Sequence, residues 1–156
     1  MAISEEYNLI NKEAWEPGPW KDEPDRCRYT DSASGLECLI KRHPATGSLN
    51  GYVGVGEDHP ACSKPYQDMI SLDVHGMVTF SGHWSDEANS LYWFGFDCAH
   101  AFDYMPNLAL PCLSEGSTYR NIDYVKAECA NLAEQLAKLA AIIKALSAQM
   151  CWPKAY

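Results

Sequence analysis

The fold is decided by residues 121–150, which read NIDYVKAECANLAEQLAKLAAIIKALSAQM. Apolar residues recur through this stretch at gaps that alternate between three and four residues. They are Ile122, Val125, Cys129, Leu132, Leu136, Leu139, Ile143, Leu146 and Met150. This spacing places them along one side of an α-helix and matches the heptad repeat of a coiled coil. With Asn121 as a candidate N-cap and Pro153 as a terminator, we predict one long amphipathic helix within residues 119–152.

The second half of this helix differs from the first in composition. From residue 135 onward its charged residues are Lys138 and Lys144, and alanines fill much of the remaining surface. Two interpretations follow: this half packs across the sheet of its own chain, or it pairs with a second copy of the chain. The residues expected at the contact in such a homo-oligomer are Leu136, Leu139, Ile143, Leu146 and Met150. The pattern leaves a parallel and an antiparallel pair equally open.

Upstream of the helix, residues 26–118 carry the signals of short β-strands. Apolar and β-branched runs separated by turn residues lie at 27–30, 36–42, 51–55, 70–74, 77–80 and 91–96. The short connections favour antiparallel pairing. We therefore predict an α+β fold in which an antiparallel sheet of about five strands packs against the long C-terminal helix. Residues 1–25 are expected to form an arm with a short helix near residues 5–13, and the whole chain is expected to be one domain.

The composition restricts the classes of partner and the cellular location. The 156 residues carry a formal net charge of −9, which repels the phosphate backbone of nucleic acids and suits a basic protein surface. The seven cysteines form no Cys-x-x-Cys pair, so we expect reduced thiols and no zinc site built from cysteine alone. Neither a signal peptide nor an apolar stretch of membrane-spanning length is recognisable. These features indicate a cytoplasmic protein that binds neither membranes nor nucleic acid.

The middle of the chain holds the candidate chemistry. Residues 65–119 contain no Lys or Arg but seven acidic residues and three histidines, interleaved with aromatic residues. Two spacings are notable: Asp73 and His75 on one face of a predicted strand, and Asp97, His100 and Asp103 at every third position. Carboxylates near apolar surface need a hydrogen-bond partner, a proton or a cation. Three interpretations stay open: residues that bond loop backbone, ligands for a divalent metal such as zinc, or a general base for hydrolysis.

Several motifs of this chain resemble a family of small, uncharacterised proteins encoded in bacteriophage genomes. They are GYVGV at 51–55, DVHG at 73–76, WFGFDCAH at 93–100 and YRNIDYV at 119–125. The resemblance covers roughly residues 36–136, and Met77 stands where its pattern has a second glycine after Gly76. The resemblance by itself implies no activity. By analogy with other small acidic phage proteins, it implies an inhibitor of a host defence system that acts in the host cytoplasm.

The expected function is that of a non-enzymatic accessory protein which binds and inhibits a host defence component, such as a CRISPR–Cas protein with a basic surface. This function needs no cofactor. The residues expected at the contact with that partner are Trp84, Asp86, Glu87 and Trp93.

Two alternatives belong to other classes of function. The first is a sponge that sequesters a nucleotide signal, for which a basic residue has to reach an aromatic pocket. The candidates for that residue are Arg26, Arg28, Lys41, Arg42 and Arg120. The second is a metal-dependent hydrolase, for which a divalent ion such as zinc would be held by the acidic residues and histidines of the middle stretch. Its candidate residues are Asp73, His75, Asp97, His100 and Asp103.

Overall fold

The computed structural model describes residues 2–85, 90–108 and 115–150, with side chains from residue 5 onward. Within these ranges the chain forms six β-strands and one α-helix. The strands are β1 (Ala2–Tyr7), β2 (Arg26–Thr30), β3 (Glu37–Arg42), β4 (Leu49–Val55), β5 (Phe80–Gly82) and β6 (Tyr92–Asp97). The helix α1 is Ile122–Met150, and short 3-10 turns lie at Pro19–Lys21, Tyr66–Met69 and Pro106–Leu108.

The six strands form one antiparallel sheet with the order β1-β2-β3-β4-β6-β5, and α1 packs on one of its faces. The predicted α+β fold with a long C-terminal helix is therefore confirmed. The number of strands is six rather than about five, because the first strand of the sheet lies in the segment that was expected to be an arm.

The predicted short helix near residues 5–13 is wrong. Strand β1 occupies residues 2–7 and pairs with β2 at the edge of the sheet, where Arg26 forms an ion pair with Glu5 at 2.9 Å. The Arg26 guanidinium also lies 5.8 Å from the centre of the Tyr7 ring. A helix this short is barely stable by itself, whereas an edge strand gains a row of backbone hydrogen bonds from its neighbour.

The predicted strands at residues 70–74 and 77–80 are also wrong for most of their length. Only Phe80–Gly82 forms a strand, and residues 70–77 make turns that lie against α1. The backbone of Asp73 bonds to the side chain of Gln135, and the backbone N–H of His75 bonds to Glu128. Polar side chains of the helix therefore take the place of the partner strand that the alternating pattern predicted.

The core lies between α1 and the inner face of the sheet. Val125, Cys129, Leu132 and Leu136 of the helix are all fully buried there. Gly51 on β4 permits this close approach, since a Cβ at residue 51 would lie 2.4 Å from the Phe96 ring and 2.7 Å from the Cys129 sulfur. A smaller cluster on the opposite face contains Leu39, Tyr52 and Trp93, partly covered by Phe80, Trp84 and Leu91.

The apolar seam of α1 continues past the edge of its own sheet. Leu136 is 0% exposed and Leu139 packs partly buried against the core, whereas Ile143, Leu146 and Met150 are 39%, 54% and 83% exposed. Leu136 is therefore a core residue and not a contact for a second copy, which corrects that part of the sequence prediction. Residues 141–150 are all exposed and extend the helix by about 15 Å. None of the described helices has the length and hydrophobicity required to cross a membrane.

Candidate functional site

Two loops that are distant in sequence bring His75, His100 and Asp103 together. His75 lies in the turns before β5, and the other two lie in the tight turn that follows β6. One nitrogen of each histidine and one carboxylate oxygen of Asp103 all lie within 4.8 Å of one another. We call these three residues the Asp/His cluster.

Asp103 is the buried centre of the Asp/His cluster, with only 3% of its surface exposed. Its Oδ2 accepts hydrogen bonds from His75 Nε2 at 2.8 Å and from the backbone N–H of His100 at 3.0 Å, while its Oδ1 accepts from Arg120 Nε at 2.9 Å. Burial by itself would raise the pKa of this carboxyl, but the bonds from His75, Arg120 and the His100 backbone outweigh burial and lower the pKa. Asp103 is therefore a carboxylate at neutral pH.

His75 is held from both ring nitrogens and from its backbone. Its Nδ1 lies 2.9 Å from the hydroxyl of Tyr124, and its Nε2 bonds to Asp103. Its backbone N–H donates to a Glu128 oxygen at 2.7 Å. Because Asp103 is ionised and can only accept, Nε2 of a neutral His75 carries the proton and Nδ1 accepts from Tyr124.

His100 is the member of the Asp/His cluster with a ring nitrogen that lacks a hydrogen-bond partner. Its Nδ1 is buried and makes no hydrogen bond, although Asp103 Oδ2 lies 3.5 Å away and Asp97 Oδ1 lies 3.6 Å away. The ring packs directly over Gly76, where an added Cβ would lie 2.1 Å from it. Gly76 and Met77 both have left-handed backbone, with φ of +63° and +80°, and Gly76 presents bare backbone to the imidazole because it has no side chain.

Of the other two predicted ligands, Asp97 lies beside the cluster and Asp73 lies outside it. Asp97 Oδ1 accepts from the backbone N–H of Ala99 at 3.1 Å, and its Oδ2 accepts from the Thr79 hydroxyl at 3.0 Å, so this carboxylate shapes the turn after β6. The Asp73 side chain is exposed, and the residue contributes its backbone carbonyl, which accepts from Asn131 and Gln135. The predicted strand that would have aligned Asp73 with His75 is absent from this part of the described chain.

Sequence reasoning missed Tyr124 and Glu128 of α1, which complete the site, and it considered Arg120 only for a nucleotide pocket. Tyr124 and Glu128 are four residues apart, which places them on one face of the first turns of α1, toward the loops that carry the Asp/His cluster. That spacing was a usable signal. It was overlooked because the apolar seam of the same helix dominates its pattern.

The residues predicted to contact a protein partner have different surroundings. Trp93 is 0% exposed because it packs with Leu39 and Tyr52 in the cluster on the face opposite α1, so its predicted role at a partner surface is wrong. Trp84 is half-buried, with its ring 4.5 Å from that of Tyr52 and the Lys41 ammonium 3.8 Å from its centre. Asp86 and Glu87 lie outside the described residues.

Comparison with known proteins adds no relative: no protein-family model, no curated protein and no solved structure matches this chain. The resemblance to phage-encoded proteins accordingly stays a prediction from the motifs.

Proposed function

We propose that this protein is a non-enzymatic binding protein that self-associates through the projecting end of α1 and inhibits a protein of a host defence system. The observation that carries the first part is the continuation of the helix seam beyond the sheet. Ile143, Leu146 and Met150 occupy the same heptad positions as the buried residues of the first half, yet they face solvent in the single chain.

A second copy of the chain is the occupant that this seam suits best. Two identical helices related by a two-fold axis place equivalent apolar residues against each other, and a heptad seam is complementary to itself in that way. The charges of this half do not interrupt the seam, since Lys138 pairs with Glu134 at 2.6 Å on the exposed side of the helix. Ala140, directly beside the seam residue Leu139, is small enough to permit close approach of a neighbouring helix.

The defence-related part of the proposal rests on charge and on the motif resemblance. A net charge of −9 favours association with a basic surface, and nucleic-acid-binding defence proteins carry such surfaces. The nucleotide-sponge alternative has less support from the described contacts. Two of the basic residues that it could use, Arg42 and Arg120, are each held by a buried carboxylate, Asp25 and Asp103 respectively.

Self-association is tested by light scattering on the purified chain after size-exclusion chromatography. The double variant I143E/L146E places two charges in the seam, so we expect it to elute as a monomer while the unmodified chain has the mass of a dimer or a larger oligomer. The matched control A145E/A148E places the same two charges on the outer side of the helix and should keep the oligomeric mass. An unmodified chain that is monomeric at every concentration contradicts the proposal.

The inhibitory role is tested in cells that carry a CRISPR–Cas system directed against a phage. Expression of the unmodified chain should restore plaque formation by that phage, and A145E/A148E should do the same. If the chain protects no targeted phage, the proposed inhibition of a host defence protein is contradicted. That outcome would not affect the result on self-association.

A further inference from the structure

We propose that His75, His100 and Asp103 form a binding site for a divalent transition-metal ion such as Zn²⁺. The inference is independent of self-association, because the site lies between two loops and the first half of α1. Two imidazole nitrogens and one carboxylate oxygen are a ligand set that zinc commonly uses, with a fourth position left for water or another oxygen.

The distances between the candidate ligand atoms fit one ion. Ligands at about 2.0–2.1 Å from a tetrahedral zinc lie about 3.3 Å from one another. His100 Nδ1 lies 3.5 Å from Asp103 Oδ2 and 3.6 Å from Asp97 Oδ1, which is too long for a good hydrogen bond and close to the edge of such a tetrahedron. His75 Nε2 lies 2.8 Å from Asp103 Oδ2, so this pair has to separate by about 0.5 Å to admit the ion.

The unpartnered nitrogen of His100 is the second observation that points to a ligand. Burying a polar atom without a hydrogen bond is energetically unfavourable, and native proteins retain few such atoms. This nitrogen faces two carboxylate oxygens that already accept hydrogen bonds, so a cation placed between the three atoms would be the partner that the nitrogen lacks. The side chains of His100 and Asp97 are 34% and 31% exposed, which leaves the ion a path from solvent.

The groups behind the ligands already have the arrangement that orients metal ligands. Tyr124 bonds the far nitrogen of His75, and Arg120 bonds the Asp103 oxygen that faces away from both histidines. When His75 Nε2 binds the ion, its proton moves to Nδ1, which then donates to the Tyr124 hydroxyl instead of accepting from it. Metal binding thus changes the tautomer of His75 without leaving a ring nitrogen unpartnered.

The local charge favours a dication. The carboxylates of Asp97, Asp103 and Glu128 lie around the two histidines, and Arg120 is the cation bonded to Asp103. With neutral imidazoles these four charged groups sum to −2, which a divalent ion would neutralise.

Equilibrium dialysis of the full-length chain against Zn²⁺, followed by elemental analysis, tests the site. We expect about one bound ion per chain, as in sites with three protein ligands. H100A should lose the bound ion, and Y124F, which removes only the hydroxyl behind His75, should weaken binding by about tenfold. The matched control H43A removes an exposed histidine on the loop before β4 and should bind as the unmodified chain does.

Two measurements on the unmodified chain cover the case that H100A does not fold. Titration with Zn²⁺ should shift the ring nitrogen NMR signals of His75 and His100 and leave those of His43 unchanged. Co²⁺ in place of zinc should give a visible spectrum without thiolate charge-transfer bands. Unshifted His75 and His100 signals, equal binding by folded H100A, or a thiolate spectrum that assigns the ion to cysteines would each overturn the proposal.

Discussion

At residue 77 a methionine adopts the backbone conformation that suits glycine. Met77 has a φ of +80°, and its side chain is 54% exposed, so little packing compensates the strain. The left-handed conformation costs an L-residue roughly 1–2 kcal/mol relative to glycine. A glycine at this position would adopt the same backbone conformation without that cost.

We predict that M77G raises the free energy of unfolding by about 1 kcal/mol, because glycine removes the strain but gives the unfolded chain more freedom. Urea denaturation under reducing conditions measures the change. The reverse control is G35A, at a residue with φ of +74° where an added Cβ meets no atom within 4 Å. The free energy of unfolding of G35A should be lower by about 1 kcal/mol, because alanine is strained in the left-handed conformation. If M77G is less stable than the unmodified chain, the contacts of the Met77 side chain stabilise the fold by more than its backbone strain destabilises it.

At the scale of an element, α1 combines a packed half and a projecting half. Its first half contributes five fully buried side chains to the core, and its loop-facing side bonds to His75 of the Asp/His cluster through Tyr124 and Glu128. From residue 141 onward the helix makes no buried contact with its own sheet. The division between the halves therefore lies near Leu139, one turn later than the change in composition at residue 135.

We predict that truncation after Ala140 keeps the fold and abolishes self-association. The described residues that it removes, 141–150, are exposed in the single chain, so the free energy of unfolding measured on the monomer should change by less than about 1 kcal/mol. Truncation after Gln135 also removes the fully buried Leu136 and should cost about 3 kcal/mol or more. Urea denaturation and light scattering distinguish the two truncations. An oligomer that survives truncation after Ala140 would place the interface elsewhere on the protein.

At the scale of the whole molecule, one buried ionic network joins the N-terminal segment to the sheet. Asp25 is 2% exposed, and its Oδ1 contacts Lys12 at 2.6 Å and Arg42 at 2.7 Å. Its Oδ2 accepts from the backbone N–H groups of Leu9 and Ile10. The network therefore anchors the segment after β1 to the end of β3.

The same network extends to the start of the helix. Arg42 Nη1 donates to the Tyr119 hydroxyl at 2.9 Å, and a Glu23 oxygen accepts from the backbone N–H of Ile122, the first residue of α1. A carboxylate at this end of a helix satisfies a free N–H group and interacts favourably with the helix dipole. Glu23 and Asp25 thus connect the loop before β2 to both the sheet and α1.

We predict a loss of stability in acid that depends on Asp25. Burial alone would raise the pKa of this carboxyl, but bonds from Lys12, Ile10, Arg42 and Leu9 outweigh it and hold the pKa below its ordinary value of 3.8. Since the folded-state pKa is below the unfolded one, the stabilisation is present above about pH 4 and is lost as pH falls through the folded-state pKa. Asp103 has a lowered pKa as well and contributes in the same direction.

The measurement is urea denaturation of D25N across the acid range. At neutral pH the variant should be less stable by about 3–5 kcal/mol, because it leaves Arg42 and Lys12 buried without their carboxylate. The difference from the unmodified chain should shrink as pH falls, since that chain then loses the same charge. D58N removes an exposed carboxylate as a charge control. A difference that stays constant down to pH about 2 would contradict the assigned cause.

The local pattern of the sequence determined the long helix, the inner strands and the fold class. The seam from Ile122 to Met150 repeats every three or four residues, and Asn121 accepts the hydrogen bond of the Tyr124 N–H as a predicted N-cap. Such features depend on residues that are close in sequence, so they can be predicted from the sequence of a single chain. The grouping of His100 with Asp103 also has a local cause, because the turn after β6 joins them.

Only the tertiary structure decided which residues meet across long distances in sequence. It added β1 to the sheet edge, placed Trp93 and Leu136 in the interior, and brought His75 to Asp103 against α1. Each of these outcomes depends on which distant group forms the hydrogen bond or packing contact. An apolar or alternating pattern in the sequence does not identify that distant group. The candidate ligands were therefore readable from the sequence, but their convergence on one buried nitrogen without a partner was not.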